Sequence, residues 1–159
     1  MNKTFAKTIL VVYGSLAKTV SQIDRLVYRR AIATHSSSGC GFCNTEKQIE
    51  DIVALINKKN KLINLKLLAD EVFACLDKET RDLLCDKYIA RLNRQTMAKK
   101  LNVSTRTYYR KLDRAETSFA KECLLRGVDD KTFKQDYFDQ NWLKTVYAKL
   151  EENNPDSES

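Results

Sequence analysis

Gln95 to Ala115 reads QTMAKKLNVSTRTYYRKLDRA, and this stretch decides the fold. Met97, Ala98 and Leu101 recur at helical spacing on one face. Val103, Tyr108 and Leu112 supply the inward positions of the segment that follows. Asn102 sits at the junction, where the chain needs a left-handed residue; Gly is commonest there, and Asn tolerates positive φ better than any branched residue. Small Ala98 lets two helices approach closely, and Ser104 or Thr105 can cap the second by accepting from its free backbone amides. The stretch therefore reads as a helix-turn-helix.

Charge converges on the same place. Arg91 to Arg114 holds eight Lys or Arg (Arg91, Arg94, Lys99, Lys100, Arg106, Arg110, Lys111, Arg114) against one acid, Asp113. The rest of the chain is nearly balanced, so the whole-chain charge of +7 is that of this one segment. A concentrated positive field next to a helical turn motif points to a phosphate backbone, hence double-stranded DNA, as partner.

Working outward, one Pro and four Gly in 159 residues leave little turn chemistry for strands, and long stretches follow the helical period. The expected class is all-α: a helical bundle with a helix-turn-helix in its C-terminal half and a long N-terminal helix. Residues 3 to 34 read as that helix. Ala6, Ile9, Tyr13, Leu16, Val20, Ile23 and Val27 follow in steps of three and four, the spacing of a coiled-coil seam. A bundle helix uses the same positions, and a homodimer through this helix is the alternative. No apolar run is long enough to span a membrane, because Lys7, Lys18 and Asp24 interrupt the first, and no secretory signal is recognisable. A soluble, cytoplasmic protein is expected.

His35 to Cys43 (HSSSGCGFC) is read as a loop. Its Cys40 and Cys43, with His35, are the only metal candidates. A zinc site needs a fourth ligand, and no second close pair follows, so the pair is read as incidental and neither metal nor cofactor is expected. Five cysteines form an odd set, which fits a reducing compartment better than a disulfide framework. Thr45 with Gln48 forms a capping box opening a helix that bears Ile49, Ile52, Val53 and Ile56 and ends near the polar run 58–61. Leu62 to Leu76 should then form the most buried helix. Asp77 caps the next, giving a three-helix cluster of 78–90, 94–101 and 105 onward, with Gly127 as the final stop. A last helix, capped by Asp129 or Asp130, carries Phe133, Tyr137, Phe138, Trp142, Val146 and Leu150. The expected division is 1–75, an N-terminal helical region for bundle packing or dimerisation; 76–150, the DNA-binding domain with its C-terminal helix; and 151–159, an acidic tail whose composition predicts disorder.

Leu76 to Tyr88 (LDKETRDLLCDKY), Met97 to Tyr108 (MAKKLNVSTRTY) and Arg114-Ala115 together resemble region 4 of bacterial sigma-70 factors, and the related phage-type regulators of the ArpU and RinA kind. The resemblance spans residues 76–115 and departs from the pattern at Asn102, usually Gly, and Tyr108, usually a small aliphatic residue. Residues 1–75 do not resemble the promoter-melting domain of a sigma factor. The resemblance thus implies a stand-alone, sequence-specific transcriptional regulator, phage or mobile-element encoded, with RNA polymerase as a second partner.

If Tyr108 and Leu112 face inward, helical spacing turns Thr105, Arg106, Tyr109, Arg110 and Asp113 outward. Arg106 and Arg110 are the candidates for base readout, with Tyr109 adding an edge or methyl contact. Ser104, Thr107, Lys99, Lys100, Lys111 and Arg114 are the candidates for phosphate contacts. Two other readings use the same residues differently: a protein-interaction module built on the heptad and aromatic helices, and an accessory DNA-binding protein of a recombinase or transposase. An enzyme is not expected, because a single His in a loop leaves no acid–base constellation to assemble.

Overall fold

The computed structural model describes residues 1–36 and 45–154, the side chains of 34–36 excepted. Every secondary-structure element among them is helical. The elements are α1 (Thr4–Ser36), α2 (Thr45–Cys75), α3 (Lys78–Leu84) continued by a π-helical turn (Cys85–Ile89), α4 (Arg94–Leu101), α5 (Thr105–Leu125), α6 (Asp130–Tyr137) and α7 (Asn141–Glu152). The all-α class is therefore established. No helix among the described residues is long and apolar enough to cross a membrane.

The chain forms two compact units, one of residues 1–14 with 67 onward, the other of residues 15–66. In the second unit, α1 and α2 run antiparallel, because Lys59 pairs with Asp24 at 2.9 Å while Arg30 lies 3.6 Å from Asp51. Leu16, Leu62 and Leu65 are its fully buried apolar side chains. The first unit holds the larger core, with α3 and α4 both packed against α5. Phe119 of α5 stacks obliquely on Phe73 at the end of α2, 5.3 Å between centroids, and Phe73 meets Tyr13 of α1 at 5.1 Å.

Short polar side chains start α3, α4, α5 and α6. The Asp77 carboxylate accepts from the Thr80 amide at 2.9 Å, Asn93 from Thr96 at 2.8 Å, Ser104 from Thr107 at 3.2 Å and Asp129 from Thr132 at 2.7 Å. Left-handed residues end α4 and α5. Asn102 has φ 52° and ψ 48°, and the amides of Asn102 and Val103 turn back onto the carbonyls of Lys99 and Ala98. Gly127, with φ 78°, closes α5 the same way.

Two boundaries differ from the sequence expectation. The polar run 58–61 does not end a helix: α2 continues unbroken to Cys75. Lys and Asn are permissible helix residues and no Gly or Pro interrupts them, so polarity there reflects an exposed face rather than a stop. Nor is 62–76 buried all round, since Leu67 is 54% exposed. The aromatic C-terminal segment is two helices instead of one. The chain breaks at 138–140, and folding back brings Tyr147 of α7 to Phe138 (5.2 Å) and Phe133 (6.4 Å), burying aromatic area that one straight helix would spread out. Glu151 and Glu152 of the expected acidic tail belong to α7; 155–159, like 37–44 with Cys40 and Cys43, lie outside the described residues.

The left-handed turn gives a direct test. Asn102→Gly should preserve the fold, with stability within about 1 kcal/mol of the wild type. Asn102→Val should cost about 2 kcal/mol or more, because a branched side chain is disfavoured at this φ. Urea unfolding of both variants measures the difference.

The caps give a pH dependence. Hydrogen bonds from backbone amides hold the Asp77 and Asp129 carboxyls below their ordinary value of 3.8. A lowered folded value means that these groups add stability above 3.8 and lose it as pH falls through the folded value. Thermal melts should therefore drop more steeply below pH 4 in the wild type than in an Asp77→Asn, Asp129→Asn double variant.

Candidate nucleic-acid interface

The candidate site is a single face of α5, and its opposite face explains why it is presented. Tyr108, Leu112, Ala115, Phe119 and Cys123 recur along one side of α5 and are all buried. With that side fixed in the core, Thr105, Arg106, Tyr109, Arg110, Asp113 and Arg114 are turned outward. These six residues line a shallow, open groove of about 670 Å³. Their spacing is that of adjacent positions on successive turns, so the groove runs along the helix.

Two interactions hold α5 in this rotation. Tyr88, carried by the π-helical turn, donates its hydroxyl to Glu116 Oε1 at 2.6 Å, and Lys7 lies 3.4 Å from the other carboxylate oxygen. Glu116 is only 5% exposed, so its charge is neutralised inside the fold by a lysine from α1. Burial, with the neighbouring carboxylate second, pushes the Tyr88 phenol well above its ordinary 10.0, keeping it a proton donor throughout the accessible pH range. The wider π turn ends at Ile89, and two residues on Arg91 has a φ of 54°, unusual for a side chain of that size.

The ion pairs divide the basic cluster. Lys100 pairs with Asp86 at 2.6 Å and Lys111 with Glu79 at 2.7 Å. Arg91, Arg94, Lys99, Arg106, Arg110 and Arg114 are exposed and make no ion pair among the described residues. The one acid in the cluster, Asp113, is itself paired with Lys3 from the N-terminus. Lys3 also donates to Thr117 Oγ1 at 3.2 Å. The groove is thus left with three unpaired guanidinium groups and one neutralised carboxylate.

The remaining candidates fall into distinct places. Ser104 and Thr107 are occupied with each other at the N-terminus of α5, their hydroxyls 3.0 Å apart. Tyr109 is 47% exposed, with its ring against that of Tyr108 (centroids 5.3 Å apart). Thr105 and Lys99 are exposed. Cys40, Cys43 and the side chain of His35 lie outside the described residues; no group of three or more His, Cys, Asp or Glu that could hold a metal occurs among the described ones. Burial raises the Cys123 thiol to about 12, leaving it protonated and unreactive. Lys3 was invisible to sequence reasoning, because 110 residues separate it from its partner and no local pattern marks it.

No protein-family model matches the chain, and comparison with curated proteins and with solved structures returns no match.

Tyr108 shows a cost inside this packing. Its side chain is fully buried, and its hydroxyl has no hydrogen-bond partner among the described residues. An unsatisfied buried hydroxyl costs about 1–3 kcal/mol. Tyr108→Phe should therefore melt at or above the wild-type temperature, while Leu112→Ala on the same face should lose about 2–5 kcal/mol. Calorimetry of the two variants checks both signs.

Proposed function

We propose that the chain is a sequence-specific DNA-binding transcriptional regulator in which α4, the Asn102 turn and α5 act as a helix-turn-helix of the sigma-70 region 4 kind. The observation that carries this reading is the outward stripe of α5. Arg106, Arg110 and Arg114 are exposed and unpaired there, around Tyr109, on a helix whose other face is locked into the core. In this motif the second helix enters the major groove and the first crosses the backbone. A helix of 21 residues is about 30 Å long, so its first two turns can occupy the groove while the rest anchors it.

Arg106 and Arg110 take the base-reading role, since a guanidinium bonds guanine O6 and N7 bidentately. Lys99 and Arg114, together with Arg91 and Arg94, supply phosphate contacts that set orientation without reading sequence. Lys100 and Lys111 contribute less than their charge suggests, because Asp86 and Glu79 already neutralise them. The protein works without catalysis, in the cytoplasm of a cell carrying a phage or mobile element. RNA polymerase is the second partner that the region 4 likeness brings with it.

Selection of bound duplexes from a random pool tests the reading, followed by titration of the selected site. Arg106→Ala and Arg110→Ala should each lose about 1–3 kcal/mol on the selected site and relax preference at one base pair. Lys99→Ala should weaken all duplexes alike and reduce the salt dependence, with a larger effect than Lys100→Ala. Failure to enrich any sequence would refute base readout.

A further inference from the structure

Helix α2 carries an apolar stripe that the fold covers only in part, with Ile56 and Ile63 half-buried. Ile49, Val53, Ile56, Asn60, Ile63 and Leu67 follow in steps of four and three, placing Ile at three successive d positions and Val, Asn and Leu at the a positions of a heptad repeat. Leu62, Leu65 and Ala69 on the opposite side of α2 are fully buried. On the stripe, Ile49 and Leu67 are each 54% exposed and Val53 is 48% exposed. Glu46 and Asp70, the next positions at either end, bound the stripe with charge. On α1 the corresponding spacing is already covered within the chain at Ala6, Ile9 and Leu16, all fully buried.

We infer that this face of α2 is the dimerisation seam of the protein and that its occupant is a second copy of the chain, with the two α2 helices side by side and parallel. Asn60 selects that occupant. At the central a position of a parallel pair an Asn meets its own copy, so that one amide donates to the other's carbonyl; this use of a polar a position fixes register and strand number. Against a wholly apolar helix, the same amide would be desolvated with no partner.

The flanking charges agree. In the parallel register each g position faces the e′ position five residues on, which sets Lys66 opposite Glu71 of the second copy and Lys59 opposite Asn64. No like charges meet. The seam from Ile49 to Leu67 is about 27 Å long, under three heptads, so association should be concentration-dependent.

Sedimentation equilibrium of the full chain tests this without DNA. The wild type should rise from 18.3 kDa toward twice that mass as concentration increases. Val53→Lys and Ile49→Glu, both at exposed positions, should remain at the monomer mass with unchanged helical circular dichroism. Asn60→Leu should associate more tightly and lose the single dimeric state in favour of larger species. A wild type that stays monomeric at every concentration overturns the seam, as does a Val53→Lys chain that associates like the wild type. An Asn60→Leu chain indistinguishable from the wild type removes the self-pairing that makes a second copy the occupant.

Discussion

Burial of one face of α5 is the constraint on which the rest of the structure depends. Tyr108, Leu112, Ala115 and Phe119 can leave water together only if α5 lies across α3 and α4 in a single rotation. Leu112 and Phe119 each contribute about 1.5–3 kcal/mol on burial, so a rotation that exposed this face would remove a large share of a typical domain's stability. The outward position of Arg106, Tyr109 and Arg110 is the consequence. The part-buried Tyr88–Glu116–Lys7 cluster adds direction to a contact that hydrophobic burial alone leaves non-directional.

Electrostatics then separates two sorts of cation that look alike in the chain. Lys100 and Lys111 serve the fold, tying α4 and α5 to acids at either end of the α3 segment. Exposed pairs of this kind are worth little in stability, on the order of 0–1 kcal/mol, but they remove two charges from the field a partner sees. Lys3 acts in the opposite sense. By pairing with Asp113 it cancels the only negative charge within the groove of α5. The field there is consequently that of unpaired arginines, whose planar donors suit both phosphates and base edges.

The sequence displayed those features of the fold and site that depend on neighbours in the chain. Asp77 and Ser104 start helices, and Asn102 and Gly127 end them, for reasons that act over three or four residues. The inward and outward faces of α5 follow from its period. Features that depend on distant partners left no local trace. Nothing near Lys100 signals Asp86, nothing near Asp113 signals Lys3, and nothing in the aromatic segment shows that it folds back at 138–140 to set Tyr147 edge to face against Phe138. The polar run 58–61 misled for a related reason. Polarity marks exposure, and an exposed face on a long helix has the same composition as a turn.

The measurement that bears most directly on the central claim is the salt dependence of duplex DNA binding by the full chain. Six exposed cations of the segment from Arg91 to Arg114 make no ion pair among the described residues, and each that contacts a phosphate releases close to one counterion. A plot of log affinity against log salt should be linear with a slope approaching about −5. A slope near zero, or no retention of duplex at low salt, would contradict the assignment of α5 to DNA.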